Sequence, residues 1–293
     1  MDTNSLHAFV TVAKLGSFSL AAEQLFITQS AVSKRISLLE EQLESRLFDR
    51  IGRKVTLTEP GRMLLPKAQK ILLELKDAKR SLSNLSGQVS GTLSIAASHH
   101  ISLHRLPPIL RDYASNYPDV KLDLRFDESE IAYDSVLRGD LEIALITLSP
   151  HPDKNIEANI VWQDQLRYVV SPDHALAGRS RVSLQELTQY NAILSGNATF
   201  TRQIVERQFS EMGLGLDVAM STNYLDTIRM MVEIGLGWSL LPDTMTATGL
   251  TVLNVDAKPV SRQLGYIKHR ERTLSNAALR FIQLLDNAAK NCS

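Results

Sequence analysis

The 293-residue chain has a single cysteine, Cys292. One thiol cannot close an internal disulfide and brings no partner cysteines, so a stapled secreted scaffold and a cysteine-based zinc finger are excluded. Long apolar runs are missing too: no window approaches the roughly 18–20 apolar residues of a membrane helix. Met1-Asp2-Thr3-Asn4 puts no basic stretch ahead of an apolar one, so no secretory signal is read there. The expectation is a cytoplasmic protein with no membrane partner and an inert Cys292. Catalytic signatures are equally scarce, with no P-loop, no Gly-x-Ser-x-Gly elbow and no His-Glu-x-x-His. Gly213-x-Gly215 and Gly235-x-Gly237 are bare glycine pairs, and the second precedes a strand-like segment, the wrong order for a dinucleotide fingerprint. Nothing fixes two acid or base side chains as a catalytic pair. Neither an enzyme nor a cofactor is expected.

Net charge is absent only on average. Residues 1–90 hold 13 Lys/Arg against 9 Asp/Glu, whereas residues 91–293 hold 19 against 23. A basic head on an acidic body suits a nucleic-acid-binding module joined to a sensing or enzymatic domain. The order of residues in the head sharpens this. Leu6, Phe9, Val10 and Ala13 recur at helical spacing before Gly16, which predicts a helix over 5–14. Ser17 can cap a second helix from Phe18 to Leu25, and Phe26-Ile27 forms a short turn. Thr28 can cap a third helix with an apolar stripe of Val32, Ile36, Leu39, Leu43 and Leu47. Gln29, Ser30, Ser33, Lys34 and Arg35 lie off that stripe in the first two turns, where a recognition helix presents residues to duplex DNA. Gln suits adenine, Arg or Lys suit guanine, and Ser reaches bases or phosphates. A solvated helix face would also carry such residues. The basic turn Asp49-Arg50-Ile51-Gly52-Arg53-Lys54 and the alternating Val55-Thr56-Leu57-Thr58 then read as a wing, with Arg50, Arg53 and Lys54 for phosphates or the minor groove.

This head closely resembles that of the LysR-type transcriptional regulators. The likeness runs through Phe9, Gly16-Ser17-Phe18, Ala21-Ala22, Leu25, Thr28-Gln29-Ser30-Ala31-Val32-Ser33, Ile36, Leu39-Glu40, Leu43, Leu47-Phe48, Arg50, Leu57-Thr58 and Gly61. Ser30 is a mild departure, since many members carry Pro there. The resemblance implies that Phe18 to Ser37 is the DNA-binding helix-turn-helix, and Ser17, just ahead of it, and Thr28, at the start of its second helix, are counted among the DNA-binding residues.

From Pro60 to about Leu85, the residues Leu64, Ala68, Ile71, Leu75, Ala78, Leu82 and Leu85 alternate by four and three. That is the a/d pattern of a coiled coil. Thr58 can cap this helix, Pro66 should bend it or cost a hydrogen bond, and Ser86-Gly87 and Ser90-Gly91 end it. A stripe of this kind predicts a homodimer, although packing on its own domain would also bury it. A dimer would place two recognition helices on successive major-groove faces, hence a partly palindromic operator. The family resemblance adds a homotetramer and RNA polymerase as partner.

Beyond Gly91 strands alternate with helices. Strands are expected at 92–97, 121–126, 141–147, 162–170, 192–195, 217–221 and 238–241, with helices at 103–116, 131–139, 183–187, 199–212, 225–234 and 274–289. Such alternation builds α/β sheets whose ligands lie beyond strand ends. Ser98, His99, His100, Thr147, Gly196, Asn197, Ala198, Thr199, Phe200 and Asn223 sit at those ends or open the following helices, and are read as the site of a small, anionic effector. His100 and His104 stand four apart but have no third metal ligand at a fixed spacing. Gly91-Thr92-Leu93, Leu106-Pro107, Tyr117-Pro118, Gly139-Asp140-Leu141-Glu142-Ile143-Ala144 and Gly235-Leu236-Gly237-Trp238-Ser239-Leu240-Leu241-Pro242 resemble the LysR effector domain. That resemblance implies the two-lobed fold of type 2 periplasmic binding proteins.

The expected molecule is therefore α/β overall. It comprises a winged helix-turn-helix over 1–58, a coiled-coil linker helix over 59–90, effector lobe 1 over 91–161 plus 267–293, and lobe 2 over 162–266. A sequence-specific regulator controlled by a small molecule is the leading reading. A ligand-independent regulator stays open beside it, while a solute-binding protein is disfavoured by residues 1–58.

Overall fold

The computed structural model describes residues 1–51 and 54–291. It forms two compact units, Met1–Ser86 and Gly87–Ser293, so the division falls ahead of the 90/91 boundary expected.

In the head, α1 (Thr3–Leu15) starts where the Asp2 carboxylate accepts from the amides of Asn4 and Ser5, at 2.8 and 3.0 Å. The Ser17 hydroxyl caps α2 (Phe18–Gln24) by accepting from Leu20 N, and Thr28 caps α3 (Gln29–Gln42) by accepting from Ala31 N. These caps satisfy amide groups that a helix start leaves free. Leu6, Phe9, Val12, Ala21, Val32, Ile36 and Leu39 form the core between the three helices.

The third helix is shorter than its apolar stripe suggested. It ends at Gln42, Glu44 turns the chain with φ +49°, and Leu43 stays partly exposed. Leu47 is buried from outside the helix, because Glu40 Oε1 accepts from Leu47 N (2.7 Å) and Phe48 N (3.3 Å). That carboxylate leads the chain into β1 (Phe48–Ile51), which pairs antiparallel with β2 (Lys54–Leu57) to make the wing. Only the second of these strands was legible beforehand. Thr58 then caps α4 (Glu59–Asn84), which continues through Pro66. Gly61 is required at its start, since a Cβ there would overlap the carbonyl oxygen of Leu47.

The body opens with β3 (Gly91–Ala97). The single helix expected next is two, α5 (His99–His104) and α6 (Leu106–Asn116), because Pro107-Pro108 suit a helix start rather than its interior. Then come β4 (Val120–Phe126), α7 (Ser129–Leu137), β5 (Ile143–Thr147) and the long β6 (Ile156–Val170). The next elements are α8 (Leu184–Leu187), β7 (Ala192–Leu194), α9 (Phe200–Glu211), β8 (Val218–Ser221) and α10 (Leu225–Glu233). The chain finishes with β9 (Ser239–Pro242), β10 (Thr251–Val252), β11 (Val260–His269) and α11 (Asn276–Asn291).

The main sheet runs β4-β3-β5-β11-β6, with β9 and β10 pairing the far end of β6. β3 is parallel to both β4 and β5, whereas β11 is antiparallel to both β5 and β6. β7 and β8 form a separate parallel pair.

Two lobes share this sheet. Lobe 1 packs α6 and α11 on one face, through Tyr113, Phe281 and Leu285. Its other face packs α7, through Ala132 and Val136. Lobe 2 is centred on Trp238, Val205 and Phe209. The lobe boundaries differ from those expected: Trp162, Leu264 and Tyr266 belong to the lobe 1 core, while Leu166 and Val260 belong to lobe 2. The chain therefore crosses near 163–165 and 261–263. A bulge adjoins this crossing between Leu264 and Gly265. A side chain at Gly265 would overlap the carbonyl of Asn159.

Candidate functional site

On the head, Gln29, Ser30 and Lys34 are exposed, while Ser33 and Arg35 are half-buried. Gln29 Oε1 accepts from the Ser19 hydroxyl at 3.1 Å, so its side chain is positioned by α2. The opposite face of α3 is core, through Val32, Ile36 and Leu39. Ser17 and Thr28 serve as helix caps. Arg53 lies outside the described residues, as do the side chains of Arg50 and Lys54.

The heptad positions of α4 divide. Ala68 is buried in the head's own core and Leu64 packs against it. Ile71, Leu75, Ala78, Leu82 and Leu85 are exposed. The stripe available to a partner therefore begins after Ala68.

In the body, a cavity of about 170 Å³ lies between the lobes. Of the residues read at strand ends, Ser98, His99, His100, Thr147, Thr199 and Asn223 line it. Gly196, Asn197, Ala198 and Phe200 are not among the lining residues. Gly196 N instead donates to Asn223 Oδ1 at 2.9 Å, which ties two lobe 2 loops together. Phe200 is buried with the α7 face of lobe 1, its ring edge-on to Tyr133 at 5.7 Å.

Reading by strand ends missed the acidic wall. Asp127, Glu128 and Glu130, around the start of α7, all face the cavity. Glu130 Oε1 accepts from Phe200 N at 2.6 Å, placing a carboxylate from lobe 1 on the N-terminus of α9 in lobe 2. Burial pushes the Glu130 carboxyl above its ordinary range, and the Phe200 amide draws it only partly back. Glu128 Oε1 accepts from Asn223 Nδ2 at 2.6 Å, a second bridge between lobes. His99 and Tyr224 meet edge-on at 5.3 Å and add a third. A Ser-Glu or Asp-Glu cluster before a helix carries a capping signal, but nothing local announces that its acids reach another lobe.

The crossing strands carry a buried charge cluster that also went unread. Asp164 on β6 pairs directly with Arg262 on β11, and Arg262 Nη2 lies 2.9 Å from Asp164 Oδ2. Arg105 Nη2 donates to Asp164 Oδ1 at 3.0 Å. His100 Nε2 stands 3.2 Å from Asp164 Oδ2 without hydrogen-bond alignment, and neither ring nitrogen has a hydrogen-bond partner among the described residues. Burial lowers the His100 pKa. Burial also opposes ionisation of Asp164, but His100 and Arg262 outweigh it and hold that carboxyl well below the ordinary range. Arg262 Nη1 reaches Thr201 Oγ1 at 3.2 Å, connecting the cluster to α9 and the cavity.

No group of three or more His, Cys, Asp or Glu among the described residues is placed to hold a metal. No helix among them is long and apolar enough to cross a membrane.

Residues 3–62 match the bacterial regulatory helix-turn-helix family of LysR type, and residues 86–290 match the LysR substrate binding domain. The chain is similar to the HTH-type transcriptional regulator CysB of Burkholderia cenocepacia, with 32% identity over 80% of this chain and 76% of that protein. Its fold is similar to that of a full-length OxyR variant from Pseudomonas aeruginosa, with TM-score 0.70, 22% identity and coverage of 100% and 96% of the two chains. CbnR, solved in complex with its target DNA, gives TM-score 0.62 at 20% identity, covering 98% of this chain and 100% of that one. The chain belongs to the LysR family of DNA-binding transcriptional regulators, with a helix-turn-helix head and an effector-binding body.

Proposed function

We propose that α3 reads base edges of a partly palindromic operator and that the interlobe cavity holds a small-molecule effector that biases DNA binding. The observation that carries the reading is the division of α3. Gln29, Ser30 and Lys34 are exposed on the face a major groove would meet, while Val32, Ile36 and Leu39 anchor the same helix in the core. The exposed stripe of Ile71, Leu75, Leu82 and Leu85 supports self-association into a homodimer, and two such dimers would make a homotetramer. Such a regulator acts in the cytoplasm on transcription by RNA polymerase. A ligand-controlled equilibrium requires the effector to favour one state of the protein over the other.

Gel-shift titration on a footprinted operator provides the test. Gln29→Ala and Lys34→Ala should each weaken specific binding about 5- to 100-fold, the value of one good base contact. Unchanged affinity and selectivity in both variants would remove α3 as the reader.

A further inference from the structure

We propose that the interlobe cavity takes an effector bearing a positive, ammonium-type group, seated among Asp127, Glu128 and Glu130. This rests on reading the cavity as the effector site, and it replaces the anionic effector expected from strand ends and helix N-termini.

Two of the seats an anion would use are already taken by carboxylates of the chain itself. Glu130 occupies the amide of Phe200 at the start of α9. Arg262, the one arginine among the lining residues, is held by Asp164 through two nitrogens, at 3.2 and 2.9 Å, and by Thr201 through a third. An incoming carboxylate would have to displace Glu130 or join a wall of three acids. The features a cation would use remain free. Asp127 has neither an ion pair nor a hydrogen bond among the described residues, and Glu128 and Glu130 each commit one oxygen to the opposite lobe. Phe126 and Tyr224 line the same cavity, 62% and 57% exposed, offering aromatic faces of the kind that attract ammonium groups.

A separate observation marks the cavity as waiting for a ligand. His100 lines it, is 8% exposed, and while its Nε2 faces Asp164 Oδ2 at 3.2 Å, its Nδ1 has no hydrogen-bond partner among the described residues. Native proteins rarely leave such groups unsatisfied. A ligand hydroxyl or amine beside the bound cation would supply the partner. Because Glu128 and Glu130 also bridge the lobes, drawing their free oxygens toward an ammonium group acts directly on the interlobe contact.

Thermal-shift measurements on the full chain with three probes of equal length separate the possibilities: 1,4-diaminobutane, 4-aminobutanoate and butanedioate. The diamine should raise the Tm by about 3–6 °C once it exceeds its Kd roughly tenfold, the aminobutanoate less, and the diacid not at all. The diamine shift should vanish in Asp127→Asn and in the Glu128→Gln/Glu130→Gln double variant, both near-isosteric. A diamine shift that survives both variants overturns the proposal, as does the absence of a shift from any probe. A diacid shift that Ser98→Trp abolishes by filling the cavity overturns the charge assignment while keeping the cavity as the ligand site. Shifts from all three probes that Ser98→Trp leaves intact would sink the cavity reading itself.

Discussion

In the head, the residues proposed to meet DNA occupy two consecutive turns of one helix, Gln29 to Arg35, and the same helix supplies the core that holds them. In the body, the cavity is lined from segments as far apart as Ser98, Glu130, Thr147, Thr199, Asn223 and Arg262. The first kind of site is secured by local devices: a capping hydroxyl, an apolar stripe, and one carboxylate, Glu40, that leads α3 into the wing. The second depends on long-range registration of two crossing strands. Substitutions should therefore fail differently in the two regions.

The largest effect is expected at the crossing. The Asp164 side chain is 1% exposed and serves Arg262, Arg105 and His100 together. Asp164→Ala leaves buried cationic groups without their counter-charge, which costs about 3–5 kcal/mol. Both tryptophans, Trp162 and Trp238, lie in the body, so fluorescence during urea unfolding reports on this region. A loss below about 1 kcal/mol would mean that the cluster does not organise the crossing. The same carboxyl sets a pH dependence. Its folded pKa is depressed, so its stabilisation is present above the ordinary value of 3.8 and is lost as pH falls below it. The wild-type body should therefore lose stability below about pH 4, and Asp164→Ala should flatten that fall.

These two regions also differ in what could be read from residues alone. The head was legible because its caps and stripes are local. Ser17, Thr28 and Thr58 each announce a helix start, and the structure places all three as caps. Leu43 and Leu47 misled because an apolar stripe does not reveal where a helix stops, and Glu44 stops it. In the body, β11 was missed altogether. Its run Val260-Ser261-Arg262-Gln263 lacks the apolar signature of a buried strand, because Arg262 is buried through its charge partner Asp164 on β6. The acids at 127–130 were missed for a related reason: their partners, Phe200 N and Asn223, lie 70 and 95 residues away.

Between the two regions in expected size stands the linker helix, where sequence period and structure agree only in part. Ile71 and Leu75 are 40% and 38% exposed, whereas Ala68 is 0% exposed in the head core. Ile71→Asp combined with Leu75→Asp should weaken self-association by about 100-fold, roughly 3 kcal/mol, seen as a shift to monomer in sedimentation velocity. Ala68→Asp should instead reduce the helical signal of the head by burying a charge in it. An oligomer that survives the double substitution would move self-association to another surface.

The smallest effect probes whether the head is as locally consistent as it looks. Phe26, in the turn between α2 and α3, has φ +54° and is 95% exposed. A bulky side chain in the left-handed region is strained, and here it gains almost no burial in return. Asparagine tolerates that conformation far better, so Phe26→Asn should stabilise the head by about 0.5–1 kcal/mol. Hydrogen exchange in peptides spanning Phe18–Gln42 would show it as slower opening of α2 and α3. If opening is instead faster, the phenyl ring contributes packing that its exposure does not reveal. If stability rises while operator affinity falls, Phe26 belongs with Gln29 and Lys34 on the DNA-facing surface, and its strain is retained for binding.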